Sequence, residues 1–139
     1  SAPREAAITP DGTKAYVTNQ DATNVRVINI PGNTLGPTIT VGTQPNQIAI
    51  TPDGTKAYVT NFGSNTVSVI NTVNNTITTT ITGLTSPRGI AITADGTRAY
   101  VAGSNVRVID TATDTLGSAI TVGTVPFGVA ATPLPYPAP

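Results

Sequence analysis

An internal repeat constrains this chain more than any other feature of its sequence. The segment TPDGTKAYVTN occupies residues 9–19, recurs unchanged at 51–61, and returns as TADGTRAYVAG at 93–103. Successive copies start 42 residues apart, and a partial fourth copy, PFGVAATP, occupies residues 126–133. Self-similarity at a fixed period predicts a series of alike structural units that bury their apolar faces against one another.

Each unit is predicted to contain four short β-strands. In the second unit, QIAIT alternates apolar residues and is followed by a Pro-Asp-Gly-Thr hairpin turn, then by KAYVTN. A β-branched run around residues 67–70 and a Thr/Ile alternation over 76–82 give the third and fourth strands. Pro37 falls inside the fourth strand of the first unit, and because proline has no N–H to donate, that strand is predicted to lie at an edge.

Four antiparallel strands that repeat every 40 to 45 residues are the pattern of a β-propeller blade. The innermost strand must be slim where blades converge, and every copy places an alanine there: Ala7, Ala49, Ala91 and Ala130. A β-solenoid is the alternative, but its coils are shorter and do not normally contain a tight Asp-Gly hairpin. We therefore predict an all-β propeller of three four-stranded antiparallel blades plus one extra inner strand.

The motif TPDGTKAYVTN, with its central YVTN, resembles the signature of YVTN-type β-propeller repeats, which occur in archaeal surface-layer proteins and in secreted or cell-wall bacterial proteins. The resemblance extends over residues 3–133, although the third copy departs from it with YVAG. It implies the fold and a surface location, but no shared catalytic residues. The expected boundaries are blades at 3–44, 45–86 and 87–125, the extra strand at 126–133, and a Pro-rich tail at 134–139.

Composition restricts the function. Seven basic and seven acidic residues give no net charge, so the basic footprint that nucleic acids require is missing. No apolar run approaches the roughly 20 residues that cross a bilayer, so we expect no membrane insertion. Histidine and cysteine are absent, which excludes nucleophilic triads and Cys/His metal sites. We therefore predict no enzymatic activity, no cofactor and no metal.

The surface chemistry favours an extracellular or cell-surface location. Thr, Asn, Ser and Gly fill the polar positions, as is common in secreted and cell-wall proteins. The sequence contains no methionine, even at position 1, which indicates a processed or excised product. Asn74–Asn75–Thr76 is an N-x-T sequon that can carry sugar where the source glycosylates.

Three blades make only half of a ring, because proteins with this resemblance usually hold six or seven. The two outer flat faces of such a half-ring would expose apolar residues to solvent, and Val17, Val59 and Val101 are expected to contribute to these faces. We predict a homodimer that closes a six-bladed ring, in which residues 128–132 replace the partner's first strand. A larger assembly, or a fragment cut from a longer propeller, are the alternatives.

The loops between strands differ from copy to copy, and they predict a ligand-binding face. The candidate ligand-binding residues are Arg4, Glu5, Asn46, Gln47, Arg88 and Phe127 at the channel mouth, with Asp21 and Phe62 farther out. An exposed Phe beside amides and arginines suits contact with a glycan or a peptide, but unconstrained drift explains the same variation and is favoured over ligand contact. The predicted function is a non-catalytic structural, scaffolding or adhesion module, and the alternative is a lectin-like propeller that binds glycan or peptide.

Two further sets of residues repeat with the blades. Aspartates occupy the hairpin corners: Asp11, Asp53 and Asp95. A calcium site would need several oxygens converging within one loop, so a turn-forming role is favoured over metal binding. Tyrosines occupy the second strands: Tyr16, Tyr58 and Tyr100. They are interpreted as packing residues whose hydroxyls reach a partner.

Overall fold

The computed structural model describes residues 2–132, which form three four-stranded antiparallel sheets. The first contains β1 (Pro3–Ile8), β2 (Lys14–Asn19), β3 (Asn24–Asn29) and β4 (Thr34–Thr40). The second contains β5 (Pro45–Ile50), β6 (Lys56–Asn61), β7 (Thr66–Asn71) and β8 (Thr76–Ile81). The third contains β9 (Gly89–Ile92), β10 (Arg98–Ala102), β11 (Val106–Asp110) and β12 (Thr115–Ile120). Each strand pairs with its neighbour in sequence, which confirms the predicted all-β blades.

The β1–β2 hairpin shows how the repeated turn works. Gly12 adopts φ 73°, and its N–H donates to the carbonyl of Thr9 at 2.8 Å. The Oδ1 atom of Asp11 accepts three hydrogen bonds, from the hydroxyls of Thr9 (2.7 Å) and Thr13 (2.8 Å) and from the backbone N–H of Thr13 (3.0 Å). Asp53 and Asp95 repeat the arrangement, which supports the turn-forming role predicted for this set.

The fourth strand lies at the outer edge of each sheet, as Pro37 predicts. In the first sheet, Arg26 faces Thr38 and Ile28 faces Leu35, so the register shifts at a bulge between them. Pro37 lies within that bulge on the outermost strand. Its missing N–H therefore costs no regular ladder bond.

The sheets stack face to face, and apolar side chains fill the two spaces between them. Tyr16, Val25 and Val27 of the first sheet pack with Val59 and Ile70 of the second. Across the other space, Tyr58, Val67 and Val69 of the second sheet pack with Val101 and Ile109 of the third. The inner strands β1, β5 and β9 are neighbours. This is the packing of propeller blades in an unclosed array.

Neighbouring positions on the second strand face opposite blades, because side chains alternate along a strand. The tyrosine packs on the following blade and the valine on the preceding one. Val59 and Val101 each have a preceding blade and are buried. The expectation that they contribute to a solvent-exposed outer face is therefore wrong. Val17 has no preceding blade and is half-buried. Tyr100, which has no following blade, is half-buried, whereas Tyr16 and Tyr58 are fully buried.

The fourth copy differs from its prediction. Residues 121–132 form no strand, so the extra inner strand expected at 126–133 is wrong for the part that the structure describes. The reason is the missing partner, since every other first strand pairs with the second strand of its own blade. The segment nevertheless lies against β9, because a Cβ atom at Gly89 would approach the Cα of Gly128 to 2.7 Å. Pro133 and the tail expected at 134–139 lie outside the described residues.

Within residues 2–132 there is no helix of the length and apolar character needed to cross a membrane.

Candidate functional site

Two loop sets gather at one end of the blades, which we call the loop face. It consists of the segments that enter each first strand and the loops that follow each second strand, including residues 20–23, 41–46, 62–65, 82–88 and 121–127. The β1–β2 type hairpins and the turns between third and fourth strands lie at the opposite end. The variable segments of the sequence are thus placed together, as antiparallel connectivity requires.

On the loop face, one arginine lies over two phenyl rings. The guanidinium carbon of Arg88 lies 4.2 Å from the ring centroid of Phe62 and 4.8 Å from that of Phe127. Both distances fall within the range of cation–π attraction. The backbone of Arg88 is also fixed, since its N–H donates to the carbonyl of Ala102 at 2.8 Å and its carbonyl accepts from the Thr60 hydroxyl at 2.7 Å.

Beside this stack lies a recess of about 200 Å³. Its wall contains five of the sequence-predicted residues: Arg4, Asn46, Gln47, Arg88 and Phe127. Gly89, Gly128 and Val129 complete it. Sequence reasoning missed these three because small and apolar residues carry no binding signal of their own. Phe62 lies behind Arg88 and not in the wall.

Besides Phe62, two predicted residues, Glu5 and Asp21, do not line the recess. Glu5 follows Arg4 on β1, where the register with β2 shifts between Pro3 and Glu5. The backbone N–H of Glu5 donates to the Thr18 hydroxyl at 3.1 Å. Asp21 is exposed in the turn after β2. Ligand binding by the whole predicted set stays a prediction.

Adjacent blades are joined at the opposite end by a repeated contact, which we call the tyrosine contact. Tyr16 donates its hydroxyl hydrogen to Asn75 Oδ1 at 2.6 Å, and Lys14 Nζ donates to the carbonyl of Thr72 at 2.6 Å. In the next pair of blades, Tyr58 donates to the carboxylate of Asp114. The tyrosine hydroxyls of the first two copies therefore reach partners, as predicted.

Lysine completes the second tyrosine contact. Lys56 Nζ lies 2.6 Å from the Thr111 carbonyl and 3.0 Å from Asp114 Oδ2, where it forms an ion pair. Burial raises the pKa of Tyr58 well above its ordinary value, and the hydrogen bond to Asp114 raises it further. Burial also raises the pKa of Tyr16, to about 12. Both hydroxyls thus remain protonated donors at neutral pH.

Among residues 2–132, half of a tyrosine contact is left without its counterpart at each end of the array, and we call these the unused halves. The donor half on the last blade consists of Arg98 and Tyr100, aligned with Lys56 and Tyr58. The acceptor half on the first blade consists of the Ile30 carbonyl and Asn33, aligned with Thr72 and Asn75. Asn33, Asn75 and Asp114 adopt φ of 53°, 59° and 54°, so all three turns hold the residue before the fourth strand in the left-handed conformation.

Two smaller contacts also join neighbouring blades. The hydroxyls of Thr18 and Thr60 donate across to the carbonyls of Asn46 and Arg88, at 3.0 Å and 2.7 Å. The third copy has Ala102 at this position and lacks the donor. At the hairpins, a Cβ atom on Gly54 or Gly96 would lie 3.2 Å from Cδ of the preceding blade's proline, Pro10 or Pro52.

The chain is similar to known β-propeller proteins. A family model described as "Lactonase, 7-bladed beta-propeller" matches residues 1–115. No curated protein matches the chain significantly. The hydrazine synthase of Kuenenia stuttgartiensis superposes with a TM-score of 0.85 at 29% identity, over 90% of this chain and 37% of that one.

Two further solved structures share the fold at low identity. U3-55K and the RRP9 WD40 repeats each give a TM-score of 0.86, at 13% and 14% identity respectively, and each match covers 94% of this chain. The chain spans 37% to 42% of the length of these three structures. At such identities the last two show the fold alone.

Proposed function

Since the chain belongs to the lactonase family of seven-bladed β-propellers, we propose that it is a non-catalytic scaffolding module that assembles through its blade edges. The tyrosine contact carries this proposal. It occurs twice between blades of the chain, and its two unused halves lie at opposite ends of the array.

The unused halves are complementary in chemistry. Arg98 and Tyr100 present N–H and O–H donors, whereas the Ile30 carbonyl and Asn33 Oδ1 are acceptors. A second copy therefore offers the surface that each end lacks, and two copies in a head-to-tail pair supply six blades. The family ring has seven. A closed dimer would consequently arrange its blades at a slightly wider angle than its relatives do.

The test is the mass of the protein in dilute solution. We expect a particle of about twice the 14.1 kDa chain, stable to dilution because obligate interfaces bury on the order of 2,000 Å² or more. The double variant Arg98→Ala, Tyr100→Phe should shift the equilibrium towards single chains. The control Asp21→Asn, in an exposed turn on the loop face and at the opposite end of its blade from the tyrosine contact, should not. A particle of 14.1 kDa at all concentrations would overturn the proposal.

The non-catalytic part of the proposal rests on how the carboxylates are used. Asp11, Asp53 and Asp95 hold hairpins, and Asp114 is bound by Tyr58 and Lys56. Asp110 accepts the backbone N–H of Ala112 at 2.9 Å. General acid–base catalysis needs a carboxyl group positioned at a substrate, and these five are positioned for turns and blade contacts instead.

Because the family is described by a hydrolytic activity, lactone hydrolysis is the assay that challenges this view. We expect no turnover of simple lactones above the rate in buffer. Turnover that is lost in Glu5→Gln, the substitution that removes the chain's one glutamate, would contradict a non-catalytic role.

We further propose that the module works outside the cell, as a YVTN-type surface protein. The support is the repeated YVTN motif and the uncharged, Thr- and Asn-rich surface. The Asn74 sequon lies in an exposed turn before β8, where an attached sugar would extend into solvent. Fractionation of the source cells tests the location, and recovery only from the cytoplasm would contradict it.

Binding through the loop face is the second candidate function, and the recess beside Arg88 favours it. A partner bound there would leave both blade edges free. Scaffolding and binding are therefore separable by measurement.

A further inference from the structure

Among residues 2–132, the amide NH₂ groups of the recess donate no hydrogen bond, while the oxygens of those amides are already occupied. Gln47 Oε1 accepts the backbone N–H of Ile90 at 2.6 Å, and Asn46 Oδ1 accepts Nε of Arg4 in a longer contact of 3.4 Å. Both partners are donors only, which fixes each amide with its oxygen towards that partner. The NH₂ groups of Asn46 and Gln47 are left for a ligand.

The guanidinium of Arg88 also has N–H groups available to a ligand. Its central carbon lies over the rings of Phe62 and Phe127, 4.2 Å and 4.8 Å from their centroids. Among residues 2–132, no acidic group pairs with it. Stacking covers the faces of a guanidinium but leaves the N–H groups at its rim, and these match the two oxygens of a carboxylate.

Charge and size restrict the ligand further. The described wall of the recess contains two arginines and no carboxylate. Its volume of about 200 Å³ lies below the range of roughly 300–1,000 Å³ typical of sites for whole small molecules. A space of this size suits one acidic side chain, and Phe127 and Val129 provide apolar wall for its methylene groups.

We propose that this recess binds an acidic side chain, Asp or Glu, of a peptide segment from a partner protein. The carboxylate receives N–H groups from Arg88, assisted by Arg4 and by the amides of Asn46 and Gln47. A glycan fits less well because sugar hydroxyls also donate, and the amide oxygens that would accept from them are engaged. This inference rests on the binding role of the loop face and is independent of edge assembly.

The test uses fluorescence anisotropy with a labelled octaglutamate peptide and an octaglutamine peptide of equal length. We expect saturable binding of octaglutamate, weakening as salt is added, and none of octaglutamine. Arg88→Gln should weaken binding by roughly tenfold or more, since charge-assisted hydrogen bonds are lost. Arg88→Lys should retain only part of the affinity, because lysine keeps the positive charge but lacks the paired N–H donors of the guanidinium.

Arg26→Gln is the matched control. It removes the same charge from β3, where Arg26 donates to the Thr38 hydroxyl at 2.9 Å, and it should leave affinity unchanged. Thermal unfolding establishes whether Arg88→Gln is folded. If it is not, Arg4→Gln, on an exposed residue of the wall, takes its place.

Three results would overturn the inference. Equal weakening by Arg26→Gln and Arg88→Gln would mean non-specific charge attraction. Equal affinity for the two peptides would mean that the recess does not recognise the carboxylate. Displacement of octaglutamate by glucuronate at an equal concentration of carboxylate, with no effect of glucose, would assign the recess to acidic sugars. The mass measurement above reports on edge assembly alone, so failure of either proposal is recognised separately.

Discussion

Tyr58 donates its hydroxyl hydrogen to the carboxylate of Asp114, 56 residues later and one blade away. The same tyrosine position in the previous blade reaches Asn75 instead. Each repeat therefore encodes a donor for the blade that follows and an acceptor for the blade that precedes. Blade order is specified by hydrogen bonds as well as by the apolar stack.

Removing the acceptor should destabilise the fold. Asp114→Ala leaves the fully buried Tyr58 without its side-chain partner, at an expected cost of about 1–3 kcal/mol in the free energy of unfolding. Asp114→Asn keeps an acceptor oxygen, as Asn75 does in the other copy, and should cost less. Urea denaturation measures both. An equal loss in the two variants would show that the Lys56 charge pair matters and the hydrogen bond does not.

Acid should weaken the hairpins. Hydrogen bonds from Thr93 and Thr97 lower the pKa of Asp95 to about 2 from its ordinary 3.8. A depressed folded-state pKa means that this stabilisation is complete above the unfolded value and is lost as pH falls from about 4 through about 2. Stability measured across this window should decline, and Asp95→Asn should flatten the decline. Asp21→Asn removes the same charge outside the hairpins, and an identical flattening there would refute the assignment.

Two glycines separate backbone strain from blade contact. Gly12 and Gly96 adopt φ of 73° and 75°, so alanine is strained at both by about 1 kcal/mol. A Cβ atom at Gly12 meets nothing within 4 Å, whereas one at Gly96 lies 3.2 Å from Pro52 Cδ. Gly96→Ala should therefore lower the unfolding midpoint more than Gly12→Ala does. Equal midpoints would mean that the hairpins do not press on one another.

Restoring the threonine of the repeat in the third copy, which then reads YVTG, should hold the fourth copy more firmly against the third blade. Ala102→Thr places a hydroxyl where Thr18 and Thr60 donate to the next first strand, and the carbonyl of Phe127 is the corresponding acceptor. Amide hydrogen exchange over residues 126–132 should slow. Ala102→Val has the same shape without the donor and should leave exchange unchanged. Equal protection in both variants would assign the effect to packing.

The strands and turns were predictable from sequence because their causes are local. Asp-Gly corners, β-branched runs and Pro37 each act within a few residues, and all lie where the repeat predicts. The fourth copy failed for the opposite reason, since a strand needs a ladder partner that local sequence does not supply. Burial also depends on neighbours: KAYVTN occurs twice unchanged, yet Val17 is half-buried and Val59 is inaccessible.

The candidate site was predictable in part. Loop variability indicated the face, and connectivity placed Arg4, Asn46 and Arg88 together there. The stacking of Arg88 on Phe62 and Phe127 joins residues from two blades and the fourth copy, which no local pattern reveals. Glu5 does not line the recess although it adjoins Arg4 on β1, and its part in binding stays a prediction.

The tyrosine contact also bears on how such chains change their number of units. Its donor and acceptor halves lie on opposite flanks of every blade, so like flanks cannot join and neighbours always follow in the same direction. A gene segment copied in tandem thus brings both halves of the bond with it. Propellers of this type can lengthen by duplication without inventing a new junction.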